Sequence, residues 1–283
     1  MSNSSLYYRR IASYPAPLRL GYFIFLLLCL WVPFAVPLSL FFAHDPNFLS
    51  IVVMGLLFGQ FLWFLGKWSR RVYGQRGLES YGLVWGRKNT LELLSGLIIG
   101  LSFTWLLFLV QAWCGWVSFQ AAAPNFWRIV LEGSLTGLGV AFAEELFFRG
   151  WLLTELERDY TPQVALVSTA LIFALVHFLK PFSEVVRTFP QFPALMILGL
   201  LLVWAKRAFG NRLGICIGLH GGLIWAYYQL KVGKLITYTG EISPLVTGID
   251  KNPLMGLMGI LFLSVLAICI QRLASHRRAR IDI

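Results

Sequence analysis

GYFIFLLLCLWVPFAVPLSLFF, residues 21–42, runs for 22 positions without a charged side chain. The hydrocarbon core of a bilayer takes roughly 20 predominantly apolar residues of α-helix. The stretch therefore predicts a membrane-crossing helix, with Pro33 and Pro37 inside it. It is too long for a signal-peptide core and no small-x-small cleavage site follows, so it reads as a retained first span.

Working outward with the same ruler gives apolar runs near 18–43, 48–66, 91–112, 126–149, 162–179, 192–205, 213–229 and 254–271. Composition agrees: 58% of the 283 residues are hydrophobic and 13% charged, whereas a soluble domain is about a quarter charged. The expected fold class is all-α, a polytopic transmembrane helical bundle of about eight spans. No internal repeat or low-complexity linker interrupts it.

The net charge of +11 does not imply nucleic acid, because no basic patch with interleaved aromatics lies outside the apolar runs. In so apolar a chain the cations mark loops facing an anionic leaflet, with membrane lipids as the partner. Placing the N-terminus inside leaves only Arg128, Lys180, Arg187, Lys231, Lys234 and Lys251 outside, and the remaining 18 of the 24 Lys and Arg inside. This asymmetry predicts both termini on the inner side, with the basic tail around Arg277, Arg278 and Arg280 as an inner anchor. Cys29, Cys114, Cys216 and Cys269 form no CxxC pair, which argues against a disulfide framework or a zinc knuckle.

An ionisable residue at mid-bilayer costs about 2.5–3.5 kcal/mol on insertion scales and calls for a reason. Three places stand out: AEELFFR at 143–149, FALVH at 173–177, and GLHGG at 218–222. Asp159-Tyr160-Thr161-Pro162 reads as a turn with Pro opening the next helix. Glu144 and His177 each lie about 16 residues from it, or about 24 Å at about 1.5 Å per residue, so an antiparallel pair brings them to one depth. Glu155, Glu157, Arg158 and Asp159 would then project from the bilayer at the hairpin tip. Glu145 and Arg149 are spaced to pair along one helix face, leaving Glu144 free. Gly214, Gly218 and Gly222 form a small-xxx-small face that admits a close neighbour, and Gly133 and Gly137 another. Taken singly, each histidine is more often a structural hydrogen-bond partner, the Glu145–Arg149 pair is as readily structural, and the glycine faces are packing. His44 and His276 carry no role. Two carboxylates, an arginine and two histidines on three apolar helices form a conjunction harder to dismiss.

These residues resemble the CPBP family, the CAAX-protease and bacteriocin-processing (ABI) intramembrane endopeptidases. Its pattern is EExxxR, then FxxxH, then HxxxN or HxxxD, on separate membrane helices. Glu144, Glu145 and Arg149 match the first motif; Phe173 and His177 match the second; His220 opens the third. The likeness covers about residues 125–230. It divides the chain into N-terminal membrane helices at 1–124 (three spans), a CPBP-like core at 125–230, and an outer loop, last span and basic tail at 231–283. Four residues after His220 stands Ile224, where the family pattern asks for Asn or Asp; Gln229 on the same helix is a distant stand-in.

The resemblance implies a glutamic-type intramembrane endopeptidase that hydrolyses peptide bonds of membrane-associated substrates by a Glu-activated water. Its site would be Glu144, Glu145, Arg149, His177 and His220. Glu144 would be the general base, with both histidines holding water and the oxyanion and Arg149 anchoring Glu145. HExxH, GxSxG and GxGD signatures are absent. No cofactor is expected; a zinc-dependent variant, with Glu144, His177 and His220 as ligands, ranks second. The substrate would be a membrane protein or a lipidated peptide. The competing reading is a weak or inactive family scaffold that binds a membrane-protein partner, as Ile224 suggests. A transporter with a buried proton relay ranks lower, because no inverted repeat or broken-helix pair is visible. The implied location is a bacterial-type inner or thylakoid-like membrane, as an integral multi-pass protein.

Overall fold

The computed structural model describes residues 8 and 10–279. Arg9 and the tail cations Arg278 and Arg280, which the charge asymmetry used, lie outside the described side chains. In chain order the main helices are α1 (Ala16–Phe41), α2 (Pro46–Tyr73), α3 (Arg87–Trp113), α4 (Phe126–Glu145), α5 (Pro162–Val176), α6 (Phe182–Thr188), α7 (Phe192–Ala208), α8 (Gly214–Lys231) and α9 (Leu257–Ala279). The polytopic helical architecture is present: every expected apolar run is helical. Among the described residues six helices are long and apolar enough to cross a membrane, namely Ala16–Phe41, Pro46–Tyr73, Arg87–Trp113, Phe126–Glu157, Phe182–Ala208 and Leu257–Arg277. α5 has 15 residues and α8 has 18. The expected short run at 192–205 continues back through a single 3₁₀ turn to Phe182, which lengthens it to 27 residues. The protein is an integral multi-pass membrane protein.

The chain forms two compact units. The first comprises Met1–Leu83 with Trp151–Thr161. α2 starts on Pro46 after Asp45, whose carboxylate accepts the Phe48 N–H, and stops at the left-handed Gly74, an ordinary capped helix. Phe23 of α1 lies against Phe61, Phe64 and Trp68 of α2 and against Trp151. The opposite side of α1 leaves Phe25, Leu28, Val32 and Phe34 exposed, the surface a lipid tail would cover. The charged hairpin tip differs from expectation in part. Glu155 is 1% exposed; it accepts Arg19 Nε at 3.0 Å and the Tyr73 hydroxyl at 2.6 Å. Asp159 takes the other arm of Arg19 at 3.1 Å. Glu155 is thus a buried, ion-paired residue, whereas Glu157, Arg158 and Asp159 are exposed at the tip.

In the second unit, Val84–Gly150 with Pro162–Ile283, α8 packs against both α3 and α4. The close approach is made by glycine. A Cβ on Gly218 would collide with the Leu93 carbonyl of α3, and one on Gly137 of α4 with the Gly221 carbonyl of α8. The predicted small-residue face thus meets α3, whose own Gly96 and Gly100 complete it. A short antiparallel pair, β1 (Val117–Phe119) with β2 (Ile236–Tyr238), joins two segments that the sequence assigned to loops. It lies over a cluster of Leu107, Phe108, Val117, Leu230 and Leu235.

Candidate active site

α4 ends at Glu145 and the chain continues without a break as a π-helical segment, Leu146–Leu152. Such wide turns are rare and are frequently found at functional sites. Glu144 and Glu145 close the α-helix and Arg149 sits within the π turn. Glu145 and Arg149 are both 0% exposed. Glu145 Oε1 accepts Arg149 Nη1 at 2.8 Å and the His220 Nδ1–H at 2.8 Å. The Arg149 guanidinium lies 4.2 Å from the Phe173 ring centroid and donates to the Gly199 carbonyl at 3.4 Å. Its own carbonyl accepts the Lys206 ammonium at 2.6 Å. Burying two charges is tolerable only when they neutralise each other and are further hydrogen-bonded; this pair gains such bonds through Glu145 Oε1 and Arg149 Nη2, while Glu145 Oε2 and Arg149 Nε have no partner among the described residues. The pairing read from i,i+4 spacing is present, and His220, from another helix, joins it.

Chemistry fixes the tautomers of both histidines. His177 follows the last turn of α5, and its Nδ1 is 2.7 Å from the Phe173 carbonyl oxygen. A carbonyl only accepts, so Nδ1 carries the hydrogen. His220 Nδ1 faces a carboxylate already paired with arginine, so it too is the donor. Both rings are left with Nε2 as the nitrogen available to anything that approaches. Phe173 packs edge-on to both, at 4.7 Å from His177 and 6.2 Å from His220.

Glu144, His177 and His220 line a single cavity of about 360 Å³. Glu144 Oε2 is buried and without a hydrogen-bond partner among the described residues. Glu145 and Arg149 are not on the wall; they stand behind His220. Ile224 does line the cavity, so the side chain replacing the expected Asn or Asp faces the same space. Gln229 does not serve as its stand-in: it is buried off the cavity wall and accepts the Trp105 indole N–H at 3.2 Å. The rest of the wall is largely apolar, with four further polar side chains that the sequence reading passed over: Thr104, Gln191, Tyr227 and Asn252. Among the described residues no group of three or more His, Cys, Asp or Glu is arranged to hold a metal ion. Glu144, His177 and His220 share a cavity without forming the cluster that the zinc variant would need.

Residues 126–236 match the family model described as type II CAAX prenyl endopeptidase Rce1-like. This segment is similar to that family. The match contains the whole EExxxR, FxxxH and His220 constellation and ends before α9, in agreement with the motif resemblance. No curated protein and no solved structure is matched by this chain. The Rce1-like segment carries Glu144, His177 and His220, whereas part of the cavity wall, from Asn252 to Leu263, comes from outside it.

Proposed function

We propose that this protein is an intramembrane endopeptidase of the CAAX type that hydrolyses a peptide bond in a membrane-associated, lipid-modified or membrane-embedded substrate. One observation carries the reading: a carboxylate without a partner and two imidazoles of fixed tautomer, from three helices, line one apolar cavity. Glu144 takes a proton from water, and the oxygen attacks the scissile carbonyl carbon. The carbonyl π pair moves to oxygen. Collapse of the tetrahedral intermediate breaks the C–N bond, and the protonated Glu144 delivers its proton to the leaving amine. The Nε2 atoms of His177 and His220, each a lone-pair acceptor, take the hydrogens of the water and so position it. Glu145 and Arg149 act behind them: Glu145 fixes the His220 ring, and Arg149 neutralises Glu145. The apolar wall suits a lipid-modified or hydrophobic segment, since it offers few partners to a charged one. The charge asymmetry of the loops supports both termini inside.

E144A and H177A, expressed in the native membrane, test the reading. Removing a positioned general base typically costs about 10²–10⁴ in rate, so uncleaved membrane substrates should accumulate in both variants by comparative proteomics. Unchanged processing with the variants folded would refute the assignment. A second reading has one observation in its favour: Ile224 presents hydrocarbon where the family pattern has an amide or acid. In that case the scaffold binds a membrane partner without turnover, and a stable stoichiometric partner would be recovered from wild type and from E144A alike.

A further inference from the structure

Peptide hydrolysis creates an oxyanion, which in a low-dielectric cavity needs a hydrogen-bond donor that is already in place. The donors on the wall can be sorted by what they already hold. The Thr104 hydroxyl donates to the Gly100 carbonyl at 3.2 Å, and the Tyr227 hydroxyl to the Lys251 carbonyl at 2.8 Å. Both histidines spend Nδ1–H elsewhere. Ile224 has no donor. The amides of Gln191 and Asn252 remain, and of the two only Asn252 has its oxygen end held by a backbone N–H among the described residues. Its Oδ1 accepts the Leu254 N–H at 3.1 Å, which fixes the opposite end of the group as NH₂. One of those hydrogens is directed at Gln191 Oε1 across a long 3.4 Å, leaving the second without an acceptor in the described structure.

The loop that carries Asn252 is held firmly. Asp250 (φ 53°) and Lys251 (φ 59°) are two consecutive non-glycine residues in the left-handed region, a conformation that persists only where the surroundings over-determine it and that recurs at functional sites. Gly248 abuts the Asn252 carbonyl and Gly259 abuts Pro253, each with no room for a Cβ. Arg187 pairs with Asp250.

We propose that Asn252 donates its Nδ2–H to the oxyanion of the tetrahedral intermediate, supplying from a loop the donor that α8 lacks at Ile224. This rests on the hydrolase reading above. No covalent bond to Asn252 forms; the hydrogen bond strengthens as the carbonyl oxygen gains charge and relaxes as the C–N bond breaks. Asn252 lies outside the family-matched segment, and its place on the wall follows only from the fold.

The test uses the full chain in proteoliposomes with a fluorogenic farnesylated peptide that carries three residues beyond the modified cysteine. N252D keeps an oxygen for the Leu254 N–H while removing the donor. It should lower kcat by about 10²–10³ with KM little changed and the melting temperature preserved. N252S, which can still cap Leu254 but is too short to reach the cavity, carries the same expectation should the aspartate disturb the loop. Adding I224N to N252D should restore part of kcat by returning an amide from α8. Wild-type kcat in N252D or N252S, with E144A inactive, overturns the proposal and leaves the hydrolase reading standing. A wild-type protein that does not cleave the probe, or cleaves it no faster than E144A, removes both.

Discussion

Glu145 holds together two jobs that pull on one carboxylate: it neutralises Arg149 and it orients His220, both through Oε1 at 2.8 Å. Removing either partner of a buried pair strands a charge, and the expected loss is about 3–5 kcal/mol. E145A and R149A should therefore fall far below wild type in thermal unfolding in detergent. E145L/R149L, which deletes both charges, should unfold much closer to wild type. If the double variant is as unstable as the sum of the singles, the pair is not the unit described. The Glu–Arg pairing could be read along one helix because the two residues are four apart. The His220 bond could not, since it spans 75 residues, and neither could the failure of Gln229, whose amide faces Trp105 from the same helix that carries Ile224. Asn252 escaped for the same reason: nothing within its own loop signals a cavity 32 positions after His220.

α8 sits closest to its neighbours, at backbone-to-backbone distance from α3 and α4. G218V or G137V inserts branched carbon where a carbonyl already stands. Overpacking of this kind costs about 1–3 kcal/mol or more, and the larger effect is expected on geometry, since α8 carries His220. G218V should reduce both folded yield and probe cleavage, whereas G139V, with open space around the added Cβ, should keep both. The glycine face on α8 was legible from its four-residue spacing. Its partner was not, because spacing names a face and not what covers it. The β1–β2 pair was equally hidden: three residues per strand, centred on Ser118 opposite Thr237 and so joined across 119 positions, leave no periodic signal. The π turn also has no sequence signature; LFFRGWL reads as ordinary helix.

For the molecule as a whole, the apolar runs located every long helix because membrane insertion imposes length and hydrophobicity directly on sequence. What the runs did not disclose is the charge buried among them. Arg19, 2% exposed, lies inside the first apolar stretch and clamps Glu155 and Asp159 from 136 and 140 residues away. R19A should release that lock by leaving Glu155 buried without its cation. Hydrogen exchange should then show the largest loss of protection within residues 16–73 and 151–161; unchanged protection there would mean the clamp contributes little.

The cavity wall contains one acidic side chain, Glu144, and no lysine or arginine. Under the proposed mechanism, cutting the bond leaves the new carboxylate beside a glutamate that has given its proton to the leaving amine. Two anions would then face each other within a largely apolar wall that has no lysine or arginine, where repulsion between like charges is poorly screened. That repulsion would drive the acyl fragment out. Acidic product should be a feeble inhibitor of the native protein and a tighter one of E144Q, in which the repelling charge has been neutralised.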